Sequence, residues 1–442
     1  ISLGPSMNIS LGHSMNVYIV SDQTTLECAR LFIAVTRGET QTVCNLLENA
    51  SEQMLNQRDG DRNTLLIWAS YGGHTEIVKL LLDSNCFEIN AQDNKGRSAL
   101  ITAAQHGYRE IVRMLLACPG INANISDEDG YSALLYASRK GHTEVVELLL
   151  TVPGIDINHQ DTEGLTPLLG AACRGRLEAV RLLLTHPDVD VNHQDNEGRT
   201  ALTMACVFGF PEVARLLVVL PNIQLNAQTT EGFTALIGAA NAGHKEIVEI
   251  LLACPGIDLN LTVQFNMTAL MLASQREDAE IVRLLVASPG IDVNMQNESA
   301  HTVLMSAARR NSLEIVRILL ACPTIDVNVA SPEGRTALTW AATANCPQVV
   351  KLLLSVPDIN VNAQFQGGYT ALMLATFGGN VDIVKALLAY PSIDTALQSD
   401  DGCTAFEYGN TAEIKALYTV RETLGSKKRK RIRMEPVALD FE

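Results

Sequence analysis

The chain has 442 residues, of which 47% are hydrophobic but only 5% aromatic, so it can bury a core of Leu, Ile, Val and Ala and is not disordered throughout. Asp and Glu outnumber Lys and Arg by 49 to 33, a formal charge of −16, which repels nucleic-acid phosphates unless positive charge is segregated. Apolar runs such as residues 80–82 and 218–220 fall far short of the ~20 residues of a membrane span, no charged-then-apolar leader marks secretion, and ten cysteines without a C-x-x-C pair read as free thiols of an intracellular, reducing compartment.

Residues 1–16 repeat one octapeptide, Ile1 to Asn8 and again Ile9 to Asn16 with His13 in place of Pro5. Polar and Gly-rich, the stretch predicts a disordered leader over residues 1–24. Residues 25–58 share the apolar phase of the later units at Val43, Leu46, Leu47 and Asn56 but lose their turn and most of their first helix, as an N-terminal capping repeat does. Thereafter Ala99, Ala133, Pro167, Ala201, Ala235, Ala269, Val303, Ala337 and Ala371, each followed by Leu, recur every 34 residues without an insertion. Ten units covering 59–398 begin at 59, 93, 127, 161, 195, 229, 263, 297, 331 and 365. A closing unit over 399–424 keeps Asp401-Gly402 and Thr404 to Phe406, then loses three residues before Glu413 and Ile414, and reads as a C-terminal capping repeat. Residues 425–442 form a basic tail.

The unit from Asp161 shows why each period holds two helices. Thr166 is a helix N-cap with Pro167 at the first helical position, and Leu168, Ala171 and Ala172 share one face. Gly175 ends that helix. Glu178 suits the first turn of the next, whose Val180, Leu182, Leu183 and Leu184 give a wide apolar face before Pro187, so the second helix is expected to be the more heavily buried.

Asp-x-x-Gly, Thr-Ala-Leu, Ala-Ala, Gly-His and Glu-Ile-Val-x-Leu-Leu-Leu at this spacing resemble the ankyrin repeat over about residues 25–420. The resemblance implies an all-α ankyrin-repeat solenoid of stacked helix-turn-helix units with projecting turn or hairpin loops. Against the family pattern, only Pro167 keeps the usual Pro, and Ile67, Ile101, Leu135 and Met271 stand where His is usual. The recurrent Asn of motifs such as Asp190 to Asn192 is read as bonding turn backbone; in the family such an Asn can also be hydroxylated. Asn266 and Ala300 replace the turn Gly, and Glu277, Asn311 and Asn345 the Gly between helices, so a changed loop or curvature is expected there.

Stacked units set equivalent residues about 10 Å apart, a helix packing distance, which discourages a convergent catalytic centre. His74, His142 and His244 share a structural register, and His159 and His193 lie one repeat apart, too far to share a metal. Without a P-loop, nucleophile-elbow or His-Glu-x-x-His motif, the chain is read as non-enzymatic, with no catalytic residue, cofactor or metal.

At 100° per residue, facing Leu168, Ala171 and Ala172 inward turns positions 170, 173 and 174 toward a concave palm. Across the units those positions carry His106, Lys140, Arg174, Phe208, Arg276 and Arg310, with Arg139 and Arg309 beside them. Trp68, Tyr136 and Trp340 occupy the first register, and Tyr71 and Phe377 the second. Two basic patches with aromatics point to partner binding. Acidic turn tips, Asp61, Asp129, Glu163, Glu197, Glu231, Glu333 and Asp401, are read as ordinary solvated turns. An extended peptide advances ~3.3 Å per residue, so acidic or aromatic residues three apart would match successive units.

In the tail, Lys427, Lys428, Arg429, Lys430, Arg431 and Arg433 resemble a nuclear localisation signal, read by an importin-type receptor. Binding to the acidic turns, to nucleic acid or to anionic lipid are the other readings. The sequence thus predicts a scaffold or adaptor that holds partner proteins or extended peptides along its concave surface, cytoplasmic and/or nuclear, with nucleic acid reached only through the tail. Its alternatives are a nuclear regulator acting through that tail and an inhibitor of a partner enzyme.

Overall fold

The computed structural model describes residues 8–10, 16–18, 23–48, 50–84, 87–409 and 411–421; the cations from Lys427 to Arg433 lie outside the described residues. Two compact units divide the chain, Ile1–Thr230 and Glu231–Glu442.

The first unit opens on an antiparallel pair, β1 (Asn8–Ser10) and β2 (Asn16–Tyr18), where the sequence predicts a disordered leader. Ile9 lies opposite Val17 in that register. Then come α1 (Gln23–Arg37), α2 (Thr40–Leu47) and α3 (Glu52–Leu55). Far from losing its first helix, the opening repeat has a long one: Cys28, Leu31, Phe32 and Val35, at helical spacing, are all buried. Helix pairs come next: α4 (Leu65–Tyr71) with α5 (Thr75–Asp83), α6 (Ala99–His106) with α7 (Arg109–Leu116), and α8 (Ala133–Lys140) with α9 (Thr143–Leu150). Two more complete the unit, α10 (Pro167–Ala172) with α11 (Leu177–Leu183) and α12 (Ala201–Phe208) with α13 (Pro211–Val218).

Local chemistry sets these ends. Thr64, Ser98, Ser132, Thr166 and Thr200 each accept the N–H three residues on, capping the first helices. Thr203, at the register of Ile67, Ile101 and Leu135, closes a reciprocal capping box with Thr200. Glu76, Glu110, Glu144, Glu178 and Glu212 sit in the first turns of the second helices, where the helix dipole favours them. First helices pack on first helices and second on second. Contrary to the sequence reading, the first helix is the more buried: all of Pro167–Ala172 is buried, against Ala179, Val180 and Leu183 in α11. Small Ala lets it sit between its own partner and both neighbours, while the second helix keeps one solvated side.

The second unit repeats the plan with α14 (Ala235–Ala242) and α15 (Lys245–Leu252), then a hairpin of β3 (Thr262–Val263) and β4 (Met267–Thr268) before α16 (Ala269–Gln275) and α17 (Ala279–Val286). Beyond them lie α18 (Val303–Arg310), α19 (Leu313–Leu320), α20 (Ala337–Thr343), α21 (Pro347–Leu353), α22 (Ala371–Phe377) and α23 (Val381–Ala389). Residues 412–421 form a last helix that buries Ile414 and Tyr418. The changed loop expected at the missing glycines is not formed at Glu277, Asn311 or Asn345: they hold φ near +60° as Gly would.

Two ladders join successive repeats. Asn158 donates to the Asp188 carbonyl at 2.8 Å and accepts from the Asp190 N–H at 2.9 Å. Asn90 and Asn124 in the first unit, and Asn260, Asn294, Asn328 and Asn362 in the second, make the same two bonds. The recurrent Asn therefore reaches the next repeat's connection rather than its own turn. At the tips, Glu128 N–H bonds Lys95 O and Thr162 N–H bonds Asp129 O.

Candidate functional site

In the first unit the C-terminal ends of α6, α8 and α10 bring together Gln105, Arg139, Lys140, Arg174 and Arg176, with Tyr131 and Tyr136 at one side, around a cavity of about 440 Å³. Tyr136 Oη donates to Asp127 Oδ2 at 2.8 Å, and Asp127 Oδ1 accepts the Tyr131 N–H at 2.7 Å. The two rings lie 4.7 Å apart. Arg139 bonds Tyr131 Oη and sets its guanidinium 5.4 Å from that ring's centre. Gly170 lies against Arg139, where a Cβ would make only an ordinary van der Waals contact with the Arg139 Cβ at 3.5 Å. Arg176 Nε donates to the Arg139 carbonyl at 3.4 Å.

Nearby Arg181 and Arg199 are paired with Glu178 and Asp195. Arg139, Lys140, Arg174 and Arg176, by contrast, have no carboxylate within ion-pair distance among the described residues. Burial, and then its bond to the Asp127 carboxylate, pushes the Tyr136 phenol far above its ordinary range. Burial raises Tyr131 too, with Arg139 pulling it down and Asp161 pushing it up. Both phenols therefore stay protonated, and the cavity is lined by positive charge and neutral hydroxyls.

Of the remaining sequence-predicted residues of this unit, Trp68, Tyr71 and His106 form a separate run, and Phe208 lies apart from it. Trp68 Nε1 donates to Asp59 Oδ2 at 2.8 Å. Tyr71, 50% exposed, meets Trp68 edge-on at 5.8 Å and His106 at 5.1 Å. Phe208 is 54% exposed. Both Trp residues are only half-buried, and each turns its ring toward the start of its own repeat rather than standing free on the helix face.

In the second unit Arg310 donates to the Gln275 carbonyl at 2.7 Å, and the Arg276 guanidinium passes over Gly243, so both cations brace neighbouring repeats. Arg309 lies 5.0 Å from the centre of the Trp340 ring. Phe377 is exposed and meets Tyr408 edge-on at 6.3 Å. Sequence reasoning missed Arg335, 4.7 Å from Trp340 and 4.4 Å from Phe365, and His301, edge-on to Trp340 at 5.2 Å. It also missed Tyr131. These three share one register, the residue before the helix N-cap, which reads Asn63, Arg97, Tyr131, Leu165, Arg199 in the first unit and His301, Arg335, Tyr369 late in the second. Arg176 belongs to the Gly-His register and was hidden by its structural neighbours, His74 and His142, which bond the Thr36 and Gln105 carbonyls.

Among the described residues no group of three or more His, Cys, Asp or Glu could hold a metal ion, and no helix is long and apolar enough to cross a membrane. A family model described as ankyrin repeats (3 copies) matches successive overlapping stretches from 31–127 to 304–399. Among solved structures the chain is similar to the ankyrin repeat domain of Bcl-3, titled a unique member of the IkappaB protein family. That likeness has 26% identity and a TM-score of 0.47, covering 51% of this chain and 100% of that one. No curated protein matches.

Proposed function

The chain belongs to the ankyrin-repeat family, whose repeats generally mediate protein–protein interaction, and from that premise we propose that it is a non-enzymatic scaffold holding acidic partner segments along the face formed by the ends of its first helices. The observation that carries this reading is the cavity at Arg139, Lys140, Arg174 and Arg176, four cations unpaired among the described residues beside two neutral tyrosines. Arg139, held by Tyr131, and Arg176, held by the Arg139 carbonyl, lose little entropy on binding. Each partly desolvated cation contact adds ~1–2 kcal/mol. Tyr71, His106 and Phe208 extend the surface in the first unit, and Arg276, Arg309, Arg310, Trp340 and Phe377 supply one in the second.

Titrating fluorescein-labelled octaglutamate tests this. Lys140→Glu with Arg174→Glu should weaken binding about thirtyfold or more while leaving the helical circular dichroism intact; equal affinity of the two proteins would refute the cavity. We assign 25–58 and 399–424 as the capping repeats of 59–398. The cluster from Lys427 to Arg433 supports recognition by an importin-type receptor and a cytoplasmic and nuclear life. A green-fluorescent fusion of residues 420–442 should collect in the nucleus, and a diffuse signal would count against import. Binding to nucleic acid through the tail would instead show an affinity that falls steeply with salt and disappears without residues 427–433.

A further inference from the structure

The first residue of each unit in 59–195 is Asp, and its carboxylate has two tasks. Oδ1 accepts turn N–H groups, as Asp59 does from Asp61 and Asn63 at 3.0 and 2.8 Å. In four of the five, Oδ2 takes a side-chain donor from four or nine residues on, Asp59 from both Asn63 and Trp68, whereas Asp161, with Leu165 and Gly170 at those places, has an Oδ2 without a partner. Arg97 and Arg199 supply it to Asp93 and Asp195 at 2.7 and 2.6 Å; Trp68 and Tyr136 supply it to Asp59 and Asp127 at 2.8 Å.

The unit from 331 has both donors, Arg335 and Trp340, and no Asp. Ser331 stands at its head, and the Ser331 hydroxyl is turned to Glu333 at 2.7 Å while accepting the Arg335 backbone N–H at 3.2 Å. Trp340 Nε1 and Arg335 Nη1 are both buried without a hydrogen-bond partner, a cost of ~1–3 kcal/mol for each donor. In the closing unit Ser399 bonds Tyr408 at 2.9 Å, so a Ser at this register can serve the residue nine on; Ser331 does not reach the indole. His301 and the exposed Arg309 stand against the same ring.

We propose that Ser331, Arg335 and Trp340 form a carboxylate site, in which an acidic side chain of a bound peptide supplies the oxygens that Asp59 supplies to Trp68. Two unpartnered N–H donors, one of them on a guanidinium, suit a carboxylate, which brings the negative charge that a neutral amide lacks. Arg309 lies at the exposed edge of the same ring. The site stands on the second unit's own residues and is independent of the first-unit cavity.

With two Trp in the chain, their indole N–H resonances report separately. In the Lys140→Glu, Arg174→Glu background, which silences the first cavity, octaglutamate should shift the Trp340 resonance and leave that of Trp68, already paired, in place. Octaglutamine is the control and should move neither. Ser331→Asp should place the Trp340 resonance near its peptide-bound position without ligand and weaken octaglutamate binding there about tenfold or more. A Trp340 resonance indifferent to octaglutamate, or one that still responds equally in Ser331→Asp, overturns the site. Sodium acetate at matched carboxylate concentration producing the whole shift would also overturn it, assigning the two donors to a small anion instead of a peptide.

Discussion

The Ser312 hydroxyl donates to the Glu277 carboxylate at 3.2 Å, across the seam between one helix pair and the next. Glu277 holds φ +61°, a conformation that costs an L-residue about 1–2 kcal/mol relative to Gly. The exposed hydrogen bond offsets part of that. Glu277→Gly should therefore raise stability by about 1 kcal/mol, read as a higher urea midpoint; a lower one would show that the Ser312 contact outweighs the backbone.

The same seam explains where glycine is required. A Cβ on Gly175 would lie 2.4 Å from Phe210 Cδ1, and one on Gly107 2.5 Å from His142 Nδ1. Opposite Glu277, Asn311 and Asn345, the equivalent positions hold the shorter Ser312, Cys346 and Asn380. Gly175→Asn, although Asn tolerates positive φ, should cost about 1–3 kcal/mol by overpacking. Adding Phe210→Ser should recover most of the overpacking cost in a double-mutant cycle; no coupling between the two would remove Phe210 as the cause.

Burial and the nearby Arg309, with Arg335 acting the same way and Glu333 opposing, lower the proton affinity of His301. A His whose folded pKa lies below its unfolded value adds stability while neutral, and that contribution fades as pH falls from about 6.5, where the unfolded chain starts to take the proton. The urea-midpoint advantage of wild type over His301→Gln should thus be larger at pH 7.5 than at pH 5.5. Arg309→Gln should flatten the dependence, and a difference that grows on acidification would contradict the assignment.

Loss of the Asn158 amide removes one donor and one acceptor between repeats. Because both bonds are at the surface, Asn158→Ala should cost about 1 kcal/mol. Hydrogen exchange should accelerate first at the Asp190 amide, while the Ala171 and Ala172 amides in the buried α10 stay protected. Uniform acceleration through the first unit would show that the bond is not local.

Periodicity made the helix starts legible to the residue: Ala99, Pro167, Val303 and Ala371 each begin a helix where the 34-residue step puts it. The balance of burial was not legible, because Leu182 and Leu184 look as apolar as Leu183 and only the stacking direction decides which face is covered. Lys140 and Arg174 were found in one cavity because they share a register. Tyr131 and Arg176 come from two other registers, and the packing that brings them to Arg139 spans units rather than following the pitch of a helix. Trp68 and Trp340 occupy one helical position, yet a single exchange nine residues earlier, Asp59 against Ser331, gives them opposite hydrogen-bonding states.

Every rung of the Asn ladder ties a repeat only to its successor, at offsets that do not vary. Asn124 bonds the carbonyl of Gly154 and the N–H of Asp156, and Asn158 bonds those of Asp188 and Asp190. Excising the 34 residues 125–158 would deliver Asp188 and Asp190 to Asn124 at the spacing it already uses. Heredity can thus trim or duplicate such a gene by whole periods and still meet matching ends, altering how many partner residues are read without redesigning any joint.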